Sequence, residues 1–361
     1  MTDQRQHETD LSAFPHYQPR RFVLEGADLT DKAVVVDLHK ALLSRELRSG
    51  EDLEAWIGDL SELTAAVDEA GSILYVRMTC QTDDAERANR YKAFMTHVVP
   101  AVRPLGHALN AKYLAAREQF GAAGPRYEVY DRTTRMQVRL FREANVPLQT
   151  DLSLLSQEYQ TLCGAMTVTF DGKERTLPQM ARYQHETDRD VRQRAWQATT
   201  DRRLQDKDAL EALFDRMLAL RARVAANADF PSFREYSFAE RNRFDYTPQD
   251  CLAYHDAVEA VVVPLWRDIQ QRRRERMGLE SLRPWDTSVD PEGRGPLKPF
   301  AEPSELINGC AEVFARTDPQ LGRQFAMMRD AGLLDLASRK GKAPGGYATT
   351  LAEARRPFIF M

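Results

Sequence analysis

The chain has 361 residues, of which 43% are hydrophobic and 29% are charged, and its formal net charge is -4. This length is enough for one large or two ordinary domains with a buried core. The mild acidic excess gives no reason to expect nucleic acid or an anionic membrane surface as the main partner.

The N-terminal third is predicted to form long antiparallel helices over residues 29–48, 51–69 and 83–120. Gly50 and Gly71 separate these segments, as glycines that end helices do. No fixed-period repeat is visible, so the helices are not expected to form a solenoid.

A β-hairpin is predicted near residues 166–177. Apolar and polar residues alternate from Met166 to Phe170, and the pair Asp171-Gly172 follows them. An Asp-Gly pair after an alternating run is a strong short-range hairpin signal.

Further helices are predicted after the hairpin. Thr247 suits an N-cap and Asp250 the first helical turn, so a helix is expected to start there. Pro264 is expected to kink or divide that helix, and residues 284–303, rich in Pro, Gly and Asp, predict an irregular loop. An apolar stripe on this helix is expected to face the core; its members are Leu252, Val258, Val261, Val262, Leu265 and Ile269.

The C-terminal end carries two strand-like runs, Gly-Lys-Ala-Pro-Gly-Gly-Tyr at 341–347 and Pro-Phe-Ile-Phe-Met at 357–361. The last four side chains are large and apolar, which is typical of a buried strand. Chain termini usually lie at the surface with polar or frayed ends. We therefore expect a truncated polypeptide, and the alternative is a natural C-terminal strand tucked into a sheet.

Cysteine usage and the N-terminus bear on location. The first ten residues lack the apolar core of a secretion signal, and no apolar run is long enough to span a bilayer. The cysteines are widely scattered, which favours free thiols in a reducing cytoplasm. They are Cys80, Cys163, Cys251 and Cys310.

Residues 341–347 and 357–361 closely resemble the stretch before the active helix in oligoendopeptidase F and its relatives, the thimet oligopeptidase group of zinc peptidases. Residues 171–178 with 188–192 resemble that family's junction between the N-terminal and catalytic parts, and residues 277–286 resemble its mid-chain segment. The resemblance implies a mainly α, zincin-like peptidase fold with a small β hairpin and a short C-terminal β ribbon. It also implies an N-terminal helical domain over 1–185 and the first portion of a catalytic domain over 186–361.

The function implied by this resemblance is zinc-dependent hydrolysis of peptide bonds in short peptides. The zinc-binding H-E-x-x-H helix of the family is expected roughly one to two dozen residues beyond Met361. No zinc ligand or catalytic residue can therefore be assigned in this chain, which is expected to be inactive as it stands. Oligopeptides are the expected partners. Binding to nucleic acid or to a membrane is not expected.

What the resemblance leaves in this chain is an edge strand that would pair with the extended backbone of a substrate. Glycines would let that backbone approach closely; alternatively, they only satisfy a tight turn after Pro344. The candidate substrate-binding residues are Gly345, Gly346, Tyr347, Ala348 and Thr349.

Other candidate motifs are incomplete. His185-Glu186 and His7-Glu8 lack the second histidine four residues after the first, so both pairs are interpreted as solvated polar residues. Gly341-Lys342 is not a phosphate loop, because Ala343 stands where Ser or Thr is needed. The competing function is a non-enzymatic helical scaffold or adaptor. A fragment is expected to expose apolar area, whereas a complete scaffold is not.

Overall fold

The computed structural model describes residues 10–121 and 125–361, and it is mostly helical with two small sheets. The predicted fold class, mainly α with a hairpin and a C-terminal ribbon, is confirmed. The pair His7-Glu8 lies outside the described residues. Among the described residues, no helix is both long enough and apolar enough to cross a bilayer.

The helices of the N-terminal half are α1 (Lys32–Ser44), α2 (Gly50–Cys80), α3 (Ala85–Ala93), α4 (Val99–Phe120), α5 (Glu128–Leu140), α6 (Asn145–Gly164) and α7 (Leu177–Met180). Those of the C-terminal half are α8 (Arg189–Gln205), α9 (Lys207–Asn227), α10 (Phe233–Glu240), α11 (Pro248–Ala257), α12 (Val263–Arg276), α13 (Pro303–Thr317) and α14 (Pro319–Asp330). The strands are β1 (Thr167–Phe170), β2 (Lys173–Thr176), β3 (Leu334–Asp335), β4 (Tyr347–Leu351) and β5 (Arg356–Phe360).

The largest apolar cluster lies between α1, α2 and α4. Trp56 is fully buried in it and donates its indole N–H to the carbonyl of Leu42 at 3.0 Å. Burying an indole without such an acceptor would be costly, so this bond fixes how α1 packs against α2. The N-terminal half thus has a core of its own.

The prediction that Gly71 ends a helix was wrong, because α2 continues through it to Cys80. A Cβ at this position would lie 3.0 Å from the ring of Phe94, so the glycine provides room for a neighbouring aromatic side chain. Likewise, Gly50 is the first residue of α2, with Ser49 as its N-cap. Spacing alone does not distinguish a glycine that ends a helix from one that lets another helix approach.

The hairpin was predicted correctly. β1 and β2 pair in antiparallel register, with Phe170 opposite Lys173 and the turn at Asp171-Gly172. Both turn residues have positive φ, +50° and +70°, as this two-residue turn requires. Phe170 packs on Tyr183 at 4.7 Å between ring centroids, which fixes the hairpin on the segment before α8.

The start of α11 agrees with the sequence, since Thr247 and Asp250 form a capping box. The helix is divided as Pro264 predicted: a π-helical segment, Val258–Val262, separates α11 from α12. The expected inward orientation of the apolar stripe was wrong, however. Val261, Leu265 and Ile269 are 58–60% exposed.

The C-terminal sheet has the strand order β3-β5-β4. β5 lies in the centre, parallel to β3 and antiparallel to β4. Phe358 and Phe360 are buried, whereas Met361 is 62% exposed. The sequence predicted a strand with both faces buried; the structure instead shows a strand that is buried at Phe358 and Phe360 and only half-buried at Ile359.

Candidate functional site

The β4–β5 ribbon is positioned by the loop that precedes it. Thr82 N–H donates to the Gly341 carbonyl at 2.6 Å, and Ala343 N–H donates to the Thr79 carbonyl at 2.9 Å. Gly341 has φ +79°, and a Cβ there would overlap the carboxylate of Asp83. The loop is therefore pinned against the C-terminal end of α2.

Gly345 and Gly346 lie just before β4 and not within it. Gly345 has φ +86°, a backbone conformation that favours glycine. A Cβ on Gly346 would lie 3.2 Å from the Phe360 carbonyl, so its close neighbour is the backbone of β5. These observations account for both glycines by local geometry, and their contact with a substrate stays a prediction.

The direction of the backbone groups in β4 follows from those in β5. The N–H groups of Ile359 and Met361 donate to the carbonyls of Leu333 and Asp335, each at 2.9 Å. Successive residues of a strand point their backbone groups to opposite sides. Phe358 and Phe360 therefore direct their N–H and C=O groups towards β4.

In β4, Tyr347 is opposite Phe360 and Thr349 is opposite Phe358. These β4 residues therefore exchange hydrogen bonds with β5. The intervening Ala348 and Thr350 direct their N–H and C=O groups away from β5, and both are exposed. No other described strand pairs with β4, so this edge is open to an added strand. The sequence did not single out Thr350, because the register that orients it comes from β3.

An aromatic stack holds β4 against α2. The Tyr347 ring is nearly parallel to that of Phe360, with centroids 4.7 Å apart, and it also contacts Tyr75 at 5.4 Å. Its hydroxyl lies 2.6 Å from Oγ1 of Thr79. Burial raises the pKa of Tyr347, so the phenol stays neutral and serves as a hydrogen-bonding group.

A buried ion pair between Lys342 and Asp335 also supports the ribbon. Nζ of Lys342, whose side chain is only 4% exposed, lies 3.0 Å from Oδ1 of Asp335. The same ammonium donates to the Asp335, Ala337 and Met361 carbonyls. It therefore joins the glycine-rich loop to β3 and to the residue after β5.

The charges around this ion pair shift neighbouring pKa values. Burial acts to raise the pKa of Asp335, but hydrogen bonds and charge from Arg339 together with Lys342 outweigh it and lower that pKa to about 2. Burial raises the pKa of the Cys80 thiol to about 12, and the Asp335 charge acts in the same direction. The thiol therefore stays protonated, which argues against a nucleophilic cysteine at this place.

The β4–β5 turn is held by residues distant in sequence. One carboxylate oxygen of Glu69, in α2, accepts from the N–H groups of Glu353 and Ala354 at 2.7 and 3.0 Å. The Arg20 guanidinium pairs with both oxygens of Glu353, each at 2.7 Å. The turn is thus tied both to α2 and to the segment before α1.

These supporting residues were missed by the sequence reasoning. A signal was present for Glu69, which is 6% exposed and shares a helical face with Ala66, Ile73 and Val76. An acid in such an apolar row indicates a buried partner. No pattern pointed to Arg20, because its partner is 333 residues away.

The described residues do not provide a zinc site. Among them, no group of three or more His, Cys, Asp or Glu side chains is placed to hold a metal ion. His185 closes a 3₁₀ turn, and the second histidine of an H-E-x-x-H motif is absent from the sequence. The side chains at 10–121 and 125–361 therefore do not fit a catalytic zinc.

A depression of about 410 Å³ lies beside α2 and α3, and no residue of β4 lines it. Arg77 and Arg87 line it together with the acids Asp10, Asp84 and Glu86. Its mixture of charges suits neither an anion nor a cation. We therefore place the candidate site at the edge of β4.

Comparison with known proteins identifies the family and the fold of the chain. The sequence profile of peptidase family M3 matches residues 182–361. No curated protein matches the chain.

Solved structures extend the likeness to the whole chain. An oligoendopeptidase F structure determined at 3.1 Å superposes with a TM-score of 0.85 and 23% identity, covering 98% of this chain and 60% of that one. For an oligoendopeptidase F from Bacillus anthracis the TM-score is 0.85, the identity is 23% and the two coverages are 95% and 63%. PZ peptidase A with an inhibitor superposes with a TM-score of 0.84 and 22% identity, covering 97% of this chain and 60% of that one. The chain thus spans about three fifths of the solved structures it matches.

Proposed function

Because the chain belongs to peptidase family M3, we propose that it forms the N-terminal part of a zinc-dependent oligoendopeptidase that hydrolyses short peptides. The observation that carries this proposal is the open edge of β4, which lies within the half of the chain that matches the family. The proposed role of this chain is to hold the substrate, while the segment that would carry H-E-x-x-H supplies the zinc.

The proposed binding mode is strand addition. The N–H and C=O groups of Ala348 and Thr350 would pair with an extended peptide, giving affinity that depends little on the peptide's side chains. Tyr347 and Thr349 are used within the sheet and would act by keeping β4 straight and in place. Gly345 and Gly346 would let the peptide pass the start of the strand without a side-chain clash.

The proposal also covers domains and location. We assign residues 1–185 to an N-terminal helical domain and 186–361 to the first portion of the catalytic domain; the start of the family match at residue 182 supports this division. A cytoplasmic location is supported by the four cysteines, which are all free thiols.

The first test measures peptide binding. Thr350→Pro removes an outward N–H without removing a hydrogen bond to β5, whereas Thr350→Val changes the side chain and keeps that N–H. Fluorescence anisotropy with a labelled, uncharged oligopeptide is expected to show at least tenfold weaker binding for Thr350→Pro and less than twofold change for Thr350→Val. Equal binding by both variants would count against strand addition.

The second test concerns activity. This chain alone, supplied with zinc, is expected to leave an internally quenched oligopeptide intact. Zinc-dependent turnover by the chain alone would show that its own residues hold the metal, contrary to the proposal. The scaffold alternative is separated by light scattering, since it requires a monodisperse protein without exposed apolar area.

A further inference from the structure

An apolar surface lies on the divided helix α11–α12. Five large side chains project from it within nine residues, at spacings that place them along one side. Their exposed fractions range from 51% to 60%. We name this surface the α12 stripe, and its members are Val261, Val262, Leu265, Trp266 and Ile269.

The helix that carries the stripe has little packing of its own. Neither α11, nor the π-helical segment, nor α12 contains a single buried residue. Most helical stability in proteins comes from packing an apolar face rather than from helix propensity. The sequence pattern therefore fits a helix that is covered on this side.

Exposed apolar side chains are concentrated in the same half of the molecule. Among the described residues, 5 large hydrophobic side chains with high exposure precede residue 182, and 17 follow it. The accessible surface of the chain is 22102 Å², whereas a compact monomer of 41.2 kDa has about 15,000 Å². Only contact with another polypeptide could bury most of this additional accessible surface.

The size of this additional surface distinguishes between two candidate partners. One is a second copy of the chain, and the other is the remaining part of a longer relative. A second copy bound through a standard interface would cover about 800 Å² on each partner, a small part of an excess of about 7,000 Å². The first solved relative is longer, because 98% of 361 residues corresponds to 60% of its length, giving about 590 residues. Its additional 230 or so residues are large enough to cover the stripe and the surfaces around it.

We propose that the α12 stripe is the docking surface for the polypeptide that completes the catalytic domain in longer members of this family. The inference rests on the proposed function, because it identifies the partner as the segment that would carry the zinc ligands. The interface would be apolar in its centre, with Leu265 in the middle of the stripe and Trp266 at one side.

The experiment uses Trp266 as a reporter. The probe is the part of the Bacillus anthracis oligoendopeptidase F that lies C-terminal to the region matched by this chain. Titrating it into this chain is expected to shift the Trp266 emission to the blue as the indole leaves water. The Trp266→Phe variant gives the blank that removes signals from Trp56, Trp196 and Trp285.

Two variants test the location of binding. Leu265→Glu places a charge in the stripe, while Gln271→Glu adds the same charge on another face of the same helix. Both positions are exposed, so neither change should unfold the chain. We expect at least tenfold weaker probe binding for Leu265→Glu and less than twofold change for Gln271→Glu.

The outcomes separate the hypotheses. Absence of a shift, or an equal effect of the two variants, would overturn the inference. Self-association that is lost in Leu265→Glu and unaffected by the probe would assign the stripe to a second copy instead. If the probe docks as expected but the assembled pair with zinc does not cleave a peptide, the proposed function fails while the docking surface stands.

Discussion

The buried carboxylate of Glu69 offers the sharpest test of how the candidate strand is held. A single oxygen of Glu69 accepts from two backbone N–H groups in the β4–β5 turn. One of them belongs to Ala354, which is only 1% exposed. Glu69→Ala would leave both donors without a partner, and each unsatisfied buried donor costs about 1–3 kcal/mol.

We therefore expect Glu69→Ala to lower the free energy of unfolding by roughly 2–4 kcal/mol. Glu69→Gln keeps an oxygen at the same place and loses only the charge assistance, so it should cost roughly 1–2 kcal/mol. The control is Glu118→Ala, at an exposed position of α4, for which a change within about 0.5 kcal/mol is expected.

Urea denaturation followed by circular dichroism measures these free energies, and hydrogen exchange locates the effect. Amides of β4 and of the turn should lose protection in Glu69→Ala more than those of α1. The reasoning would be refuted if the Ala and Gln variants were equally stable, or if protection in the turn were unchanged.

Three further predictions concern the same region. Lys342→Met should destabilise the chain by roughly 1–3 kcal/mol because it removes the buried ammonium from Asp335, which keeps its pair with Arg339, and leaves backbone carbonyls without their donor. Lys340→Met, at an exposed pair with Glu174, should cost under about 1 kcal/mol, and thermal melts compare the two variants. Because the folded pKa of Asp335 is lowered to about 2, its contribution is present above the unfolded value and lost as pH falls from about 4 to 2, so Asp335→Asn should flatten the stability profile in that window; an unchanged acid slope would contradict this. Tyr347→Phe should cost roughly 1 kcal/mol by removing the bond to Thr79, with no effect expected from Tyr17→Phe at an exposed ring.

Local patterns in the sequence were sufficient for the hairpin and for the start of α11. Both depend on residues a few positions apart: Asp171-Gly172 sets the turn, and Thr247 with Asp250 sets the cap. Gly71 shows where such reasoning stops. Its role is to admit the ring of Phe94, and that contact is created by the packing of one helix on another.

The candidate site was only partly predictable for the same reason. The glycine-rich segment and its partner strand were visible in the sequence, and the residues expected to form β4 do form it from Tyr347 onward. Which groups point outwards depends on the pairing of β5 with β3, a parallel contact set by Leu334 opposite Ile359. The orientation of the α12 stripe was missed because periodicity identifies an apolar face without showing what covers it.

Helix α2 connects the N-terminal core to the candidate site as one continuous element. Its 31 residues form a rod about 46 Å long, with Trp56 in the N-terminal core near one end and Thr79 against the ribbon at the other. From Trp56 to the end of α2 is about 36 Å, so a tilt of about 2° at the core would move that end by about 1.3 Å. Displacements near 1 Å can slow an enzyme by about 100-fold. Core substitutions around Trp56 should therefore impair the candidate site from a distance, by displacing the ribbon that packs on the far end of α2.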